Sequence, residues 1–100
     1  MEFESPSEIG FTVYSKSGCP NCSKVKTLLK ENNLIFNIID CDEYLLEDKE
    51  NFFLFIKNIS DKPCNTFPIV FYECELIGGL NETKNYITKL CFSVDDNGNF

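Results

Sequence analysis

The chain has no histidine and no tryptophan. Without imidazole, zinc sites that use histidine are excluded, and so are cysteine–histidine catalytic pairs. Basic residues are scarce. Nine Lys and Arg stand against 16 Asp and Glu, a net charge of -7. A phosphate backbone needs a basic footprint, so no nucleic-acid partner is expected. No apolar run approaches the roughly 20 residues that span a bilayer, so no membrane partner is expected either. The opening residues Met1-Glu2-Phe3-Glu4-Ser5-Pro6-Ser7-Glu8 lack the positive charge of a secretion signal. Together these absences point to a reducing, cytoplasmic compartment. Internal repeats and linkers are missing too. The 100 residues read as one domain, long enough to bury a core without covalent staples.

Cysteine, by contrast, is plentiful: Cys19, Cys22, Cys41, Cys64, Cys74 and Cys91. Three readings are open. A disulfide framework fits a short chain with an even cysteine count. It sits poorly with a reducing compartment and no signal peptide. A four-thiolate zinc site has enough ligands, but structural zinc usually takes two Cys-x-x-Cys knuckles, and only Cys19 and Cys22 have that spacing. The third reading is a redox dithiol. Cys41, Cys64 and Cys74 fall at element ends or turns, where they can be exposed, and Cys91 reads as packing.

The periodicity sets the context of that pair. Residues 1–8 read as a flexible lead-in, 9–92 as the domain and 93–100, with Asp95-Asp96-Asn97-Gly98-Asn99, as a polar C-terminal tail. Ile9 to Ser15 alternates and is rich in β-branched and aromatic residues, which predicts a strand. Ser17-Gly18 supplies a turn, and Pro20 suits a first helical turn. The helix runs to about Asn32, with Cys22, Val25, Leu28 and Leu29 on one face and Lys24, Lys26 and Lys30 on the other. Leu34 to Ile39 predicts a second strand, apolar on both faces as if covered by helices. Strand, helix and strand of this length make a right-handed parallel crossover.

Asp42 is the expected N-cap of a helix from Tyr44 to about Ile59. Its run Phe52-Phe53-Leu54-Phe55-Ile56 is too apolar to bury on every side, so one or two of its aromatics should be partly exposed. Residues 60–65 form a loop. Ile69 to Tyr72 and Leu76-Ile77 form an antiparallel hairpin, because their connection is short. Gly78-Gly79 ends it. Asn81 caps a last helix from Glu82 to Phe92, with Tyr86, Ile87 and Leu90 facing the core. The order β-α-β-α-β-β-α gives an α/β protein: a central four-stranded mixed sheet flanked by helices, the plan of the thioredoxin fold.

A Cys-x-x-Cys beside a βαβ unit is the pattern of a redox pair in a cytosolic chain. Disulfide exchange is attack by a thiolate on a disulfide sulfur through a mixed disulfide. Cys19 lies at a helix N-terminus, where unpaired N–H groups and the helix dipole favour an anion. Lys16 adds a positive charge. Cys19 is therefore the expected exposed nucleophile. Cys22, one turn on, is the expected resolving thiol. No tightly bound cofactor or metal is called for.

Three motifs in order, Tyr14-Ser15-Lys16-Ser17-Gly18-Cys19-Pro20-Asn21-Cys22, Thr66-Phe67-Pro68 and Gly78-Gly79, resemble those of the dithiol glutaredoxins, over roughly residues 9–91. The resemblance implies a glutathione-dependent oxidoreductase that reduces protein disulfides and protein–glutathione mixed disulfides. Its partners would be glutathione, as co-substrate, and oxidised client proteins, and it would act as a monomer. The resemblance also implies that Lys16 reaches the glycine carboxylate of glutathione. Pro68 would be a cis-proline that presents the Phe67 backbone to the cysteinyl part. The backbone of Gly79, Leu80 and Asn81 would meet the glutamyl carboxylate. Two departures stand out. Asn21 replaces the family's usual Tyr or Phe, and Leu80-Asn81-Glu82 replaces its usual acidic pattern.

Two other functions compete. A glutathione-ligated [2Fe-2S] carrier would hold its cluster through Cys19, but carriers of this kind mostly lack Cys22 or Pro20. A thioredoxin-like electron donor would usually carry a tryptophan before the motif.

Overall fold

The computed structural model of the chain describes residues 2–64 and 66–99, with side chains as far as Leu90. The elements are β1 (Phe11–Ser15), α1 (Pro20–Glu31), β2 (Phe36–Asp40), α2 (Asp42–Ser60), β3 (Ile69–Tyr72), β4 (Glu75–Gly78) and α3 (Leu80–Asn99). They form one four-stranded sheet in the order β2-β1-β3-β4. β1 runs parallel to β2, with Phe11 opposite Phe36 and Ser15 opposite Asp40. It runs antiparallel to β3, which turns back into β4. The expected order and the mixed sheet are both present.

Side-chain alternation along the strands divides the core into two layers. Phe11, Val13 and Val70 point to the face covered by Val25 and Leu29 of α1 and Ile87 of α3. Tyr14, Ile69 and Phe71 point to the face covered by Phe52 and Ile56 of α2. Phe52 meets Tyr14, Tyr44 and Phe67, the last with rings only 7° apart at 6.2 Å. Truncating it to alanine would cost about 3–5 kcal/mol, because the void sits against several rings. Phe53 and Phe55 are half-buried and Leu54 is exposed, as the crowding of that apolar run required.

Several expectations need correction. The strand covered on both faces is β1, which is buried throughout, and not β2. β2 lies at the sheet edge, leaving Ile38 partly open and the preceding Ile35 69% exposed. Asp42 does not cap α2. Cys41 takes that position and Asp42 is the first helical residue, its carboxylate turned to another element. α2 is also interrupted at Asp48, whose φ of -155° and ψ of 54° are not helical, with Asn51 Nδ2 donating to Asp48 Oδ1.

α3 starts at Leu80, so Asn81 lies inside its first turn, and it continues to Asn99 through the stretch expected as a tail. No proline interrupts those residues. On this helix Ile87 is buried and Tyr86 half-buried, while Leu90 is 38% exposed. The lead-in carries no regular secondary structure, yet it has something to bury. Phe3 packs edge-on against Tyr44 and Phe52, and the Tyr14 hydroxyl donates to the Glu4 carbonyl at 2.7 Å.

Packing demands a glycine at position 10. With φ at +73°, a Cβ there would lie 2.5 Å from the Ile35 carbonyl oxygen. It lets β1 enter the sheet beside the segment leading into β2.

Candidate functional site

The dithiol sits where β1 leaves the sheet. Lys16-Ser17-Gly18 turns the chain, Gly18 taking a left-handed φ of +71°. Cys19 is the N-cap of α1, and Pro20 fills the first helical position, where a missing N–H costs nothing. The Cys22 N–H donates to Cys19 Sγ at 3.2 Å. The sulfur therefore takes up one of the donors that a helix start leaves unpaired, in the place where negative charge is favoured. Cys19 is partly exposed, whereas Cys22 is 1% exposed. Burial, followed by its hydrogen bond with Cys19, pushes the Cys22 thiol up, while contacts with the Lys16 backbone and the Ser15 side chain pull the other way. The pair is thus one open sulfur and one covered, protonated sulfur.

Facing this turn is the segment before β3. The Phe67–Pro68 bond is cis, with Pro68 buried and Phe67 half-buried. Lys16 Nζ lies 5.5 Å from the centre of the Phe67 ring, within cation–π range. Lys16 and Phe67 share a cleft of about 330 Å³ with Leu45, Lys49 and Phe53. Lys49 is a cation that the sequence did not single out as a candidate. α2 carries it to the cleft beside Lys16, and nothing in its local pattern separates it from an ordinary solvated lysine.

Gly78 and Gly79 pass close to this segment. A Cβ on Gly79 would lie 3.7 Å from the Pro68 carbonyl oxygen. The Gly79 N–H is already engaged, donating to Glu82 Oε1 at 2.9 Å. Thr83, fully buried, returns both its N–H and its hydroxyl to the Gly79 carbonyl. Leu80 and Asn81 occupy the first turn of α3, where backbone N–H groups have no partner within the helix. The side chain of Leu80 is partly buried, packed against the layer that holds Val25, Leu29 and Ile87. Glu82 is thus a polar group of this region that the sequence left aside.

The other cysteines diverge. Cys41, expected where it could be exposed, is fully buried. Burial pushes its thiol up to about 12. Cys64 is half-buried and also pushed up by burial, and Cys74 is exposed at the turn between β3 and β4. Cys91 lies outside the described side chains. Among the described residues, no three of Cys, Asp and Glu gather as a metal site, and no helix is long and apolar enough to cross a membrane.

A mixed sheet in the order β2-β1-β3-β4, helices on both faces, and a cis-proline before β3 with Cys-x-x-Cys after β1 together define a protein of the thioredoxin fold. A family model described as Glutaredoxin matches residues 11–77, and the chain belongs to the glutaredoxin family. It is 34% identical over 73 residues to Glutaredoxin 1 of Rickettsia typhi, a match covering 73% of this chain and 65% of that relative. The chain therefore spans just under two thirds of the relative's length. Among solved structures, it is similar to glutaredoxin 1 from Francisella tularensis complexed with cacodylate, with 29% identity and a TM-score of 0.70. That match covers 81% of this chain and 94% of the other. A buckwheat glutaredoxin–glutathione complex matches at 26% identity and a TM-score of 0.63, over 88% of this chain and 78% of the other.

Proposed function

We propose that the protein is a glutathione-dependent thiol–disulfide oxidoreductase that uses Cys19 as nucleophile and Cys22 as resolving thiol. The carrying observation is the asymmetry of the pair: Cys19 Sγ is partly open and held on a helix N-terminus, and Cys22 is covered and protonated. A relative of known structure was solved with glutathione, which supports the choice of co-substrate.

The Cys19 thiolate attacks the glutathione sulfur of a protein–glutathione mixed disulfide. A Cys19–glutathione disulfide forms and the client leaves as a thiolate. A second glutathione thiolate then attacks the glutathione sulfur, releasing Cys19 as thiolate and glutathione disulfide. On a protein disulfide, Cys19 forms the mixed disulfide with the client and Cys22 resolves it. A Cys19–Cys22 disulfide is left, which two glutathiones reduce. Lys16 would draw the glycine carboxylate of glutathione, the Phe67 backbone beside Pro68 would pair with its cysteinyl part, and Leu80 and Asn81 would offer N–H groups to its glutamyl carboxylate. Gly79 would admit that approach, although its own N–H is held by Glu82. We place the reaction in a reducing, cytoplasmic setting and the protein in monomeric form, with residues 9–92 as the working domain.

The test is a glutathione-coupled reductase assay on the wild type, Cys19→Ser and Cys22→Ser. Cys19→Ser should be inactive on every substrate. Cys22→Ser should keep activity on glutathione mixed disulfides and lose it on protein disulfides. Full activity in Cys19→Ser would overturn the assignment.

A further inference from the structure

The turn that carries Lys16 and leads to Cys19 is held by α2. The Ser17 N–H donates to Asp42 Oδ1 at 2.8 Å, and the Ser17 hydroxyl donates to Asp42 Oδ2. Asp42 is itself fixed. Its N–H donates to Asp40 Oδ1 at 3.0 Å, and the neighbouring Cys41 N–H donates to the Ser15 carbonyl at 2.8 Å. One carboxylate thus grips both hydrogen-bond donors of Ser17 from a base locked to the ends of β1 and β2.

Packing does little to fix the tip of this turn, where a Cβ built on Gly18 would meet no atom within 4 Å. Among the described residues, no other side chain hydrogen-bonds Ser17 or Gly18. Those two hydrogen bonds hold the carboxyl of Asp42 below its usual range, so the clamp is ionised at neutral pH.

We propose that Asp42 is a positioning residue for the thiol–disulfide reaction: by clamping Ser17 it fixes where Lys16 and Cys19 stand relative to Phe67 and Pro68. The inference rests on the glutathione-dependent function proposed above. Asp42 touches no reacting atom. It acts through the turn, and the carboxylate is suited to this because it accepts from a backbone N–H and a hydroxyl at once. An asparagine could do nearly the same. Its carbonyl accepts from the Ser17 N–H, and its amide donates to the Ser17 oxygen.

The experiment compares the wild type, Asp42→Ala, Asp42→Asn, Ser17→Ala and the Asp42→Ala/Ser17→Ala double variant. Readouts are kcat and KM on a glutathione mixed disulfide, and exchange of the Ser17 amide followed by NMR. In Asp42→Ala, kcat/KM should fall about tenfold, with kcat itself lowered, because small misplacements of reacting groups are costly. Ser17→Ala keeps its N–H bond, so it should lose about threefold, and the double variant should be no worse than Asp42→Ala. Asp42→Asn should recover to within about twofold of the wild type. The Ser17 amide should exchange about tenfold faster in Asp42→Ala.

A kcat/KM in Asp42→Ala within about twofold of the wild type would overturn the proposal, and so would a loss in Asp42→Asn as deep as that in Asp42→Ala. Should Asp42→Ala not fold, an unimpaired Ser17→Ala overturns it instead. If the wild type does not turn over glutathione mixed disulfides, the glutathione-dependent function fails on its own, and the amide exchange still judges the clamp. Unchanged exchange in Asp42→Ala sinks it.

Discussion

Cys19 and Cys41 occupy equivalent stations in the fold. Each is the N-cap of a helix that follows one of the two parallel strands, and those strands end side by side, Ser15 opposite Asp40. Their sulfurs have opposite fates. Cys19 follows a three-residue turn that lifts it off the sheet, and its Sγ accepts from the Cys22 N–H. Cys41 follows β2 directly, so its side chain is drawn into the layer beneath α2 beside Tyr14 and Phe52. It makes no side-chain cap bond, and its thiol instead donates to the Ile39 carbonyl at 3.5 Å. A helix start is therefore not enough to expose a reactive thiol. The side chain must also point along the helix axis and reach solvent.

The largest expected contrast is in reactivity. Native protein treated with iodoacetamide at neutral pH should be labelled at Cys19 roughly a thousandfold faster than at Cys41, because labelling Cys41 requires the core to open. Peptide mass spectrometry would read this, and comparable rates would show that burial does not protect Cys41. Next is stability. Cys41→Ala should cost about 1–2 kcal/mol in denaturant unfolding, from lost packing in a filled layer, and leave reductase activity within about twofold. A larger loss of activity would tie Cys41 to the reaction.

Gly18→Ala tests the turn that separates the two stations. A Cβ there meets nothing, so the cost should be the left-handed backbone alone, about 1 kcal/mol, with the fold kept. A stability unchanged from wild type would mean the turn relaxes freely.

The smallest effect is alkaline. The Cys41 thiol is pushed up to about 12 by burial, so above about pH 8.5 the unfolded chain loses this proton while the folded chain keeps it. The folded state then binds more protons, and stability falls as pH rises. Between pH 8 and pH 9 the wild type should lose about 0.7 kcal/mol more than Cys41→Ala. Equal losses in the two proteins would show that the buried thiol is not the titrating group.

Much of this architecture was legible from the chain. Apolar periods of two and of three to four residues identified the strands and helices, because each reports one face of a local element. The dithiol was legible for the same reason, since helix start, proline and both sulfurs lie within four consecutive residues. Illegible features involve partners far apart in sequence. Ser17 and Asp42 are 25 positions apart, and nothing local marks the pair. Asp42 looked like an N-cap, a role it would fill in an isolated helix. Phe3 looked idle until α2 offered it Tyr44 and Phe52. An apolar β2 read as a covered strand, but coverage depends on sheet order, and β2 is an edge.

Local motifs alone carried the resemblance to the glutaredoxin family. Two thiols two residues apart at a helix start, a Thr-Phe-Pro segment and a double glycine occur in order, and each acts through short-range backbone geometry. Long-range packing decided which groups lie at the candidate site. It buried Cys41, brought Lys49 beside Lys16, closed Glu82 onto Gly79 and turned Asp42 toward Ser17. Such contacts depend on where strands and helices cross in space, and that position is the joint result of the whole core rather than of any one stretch of the chain.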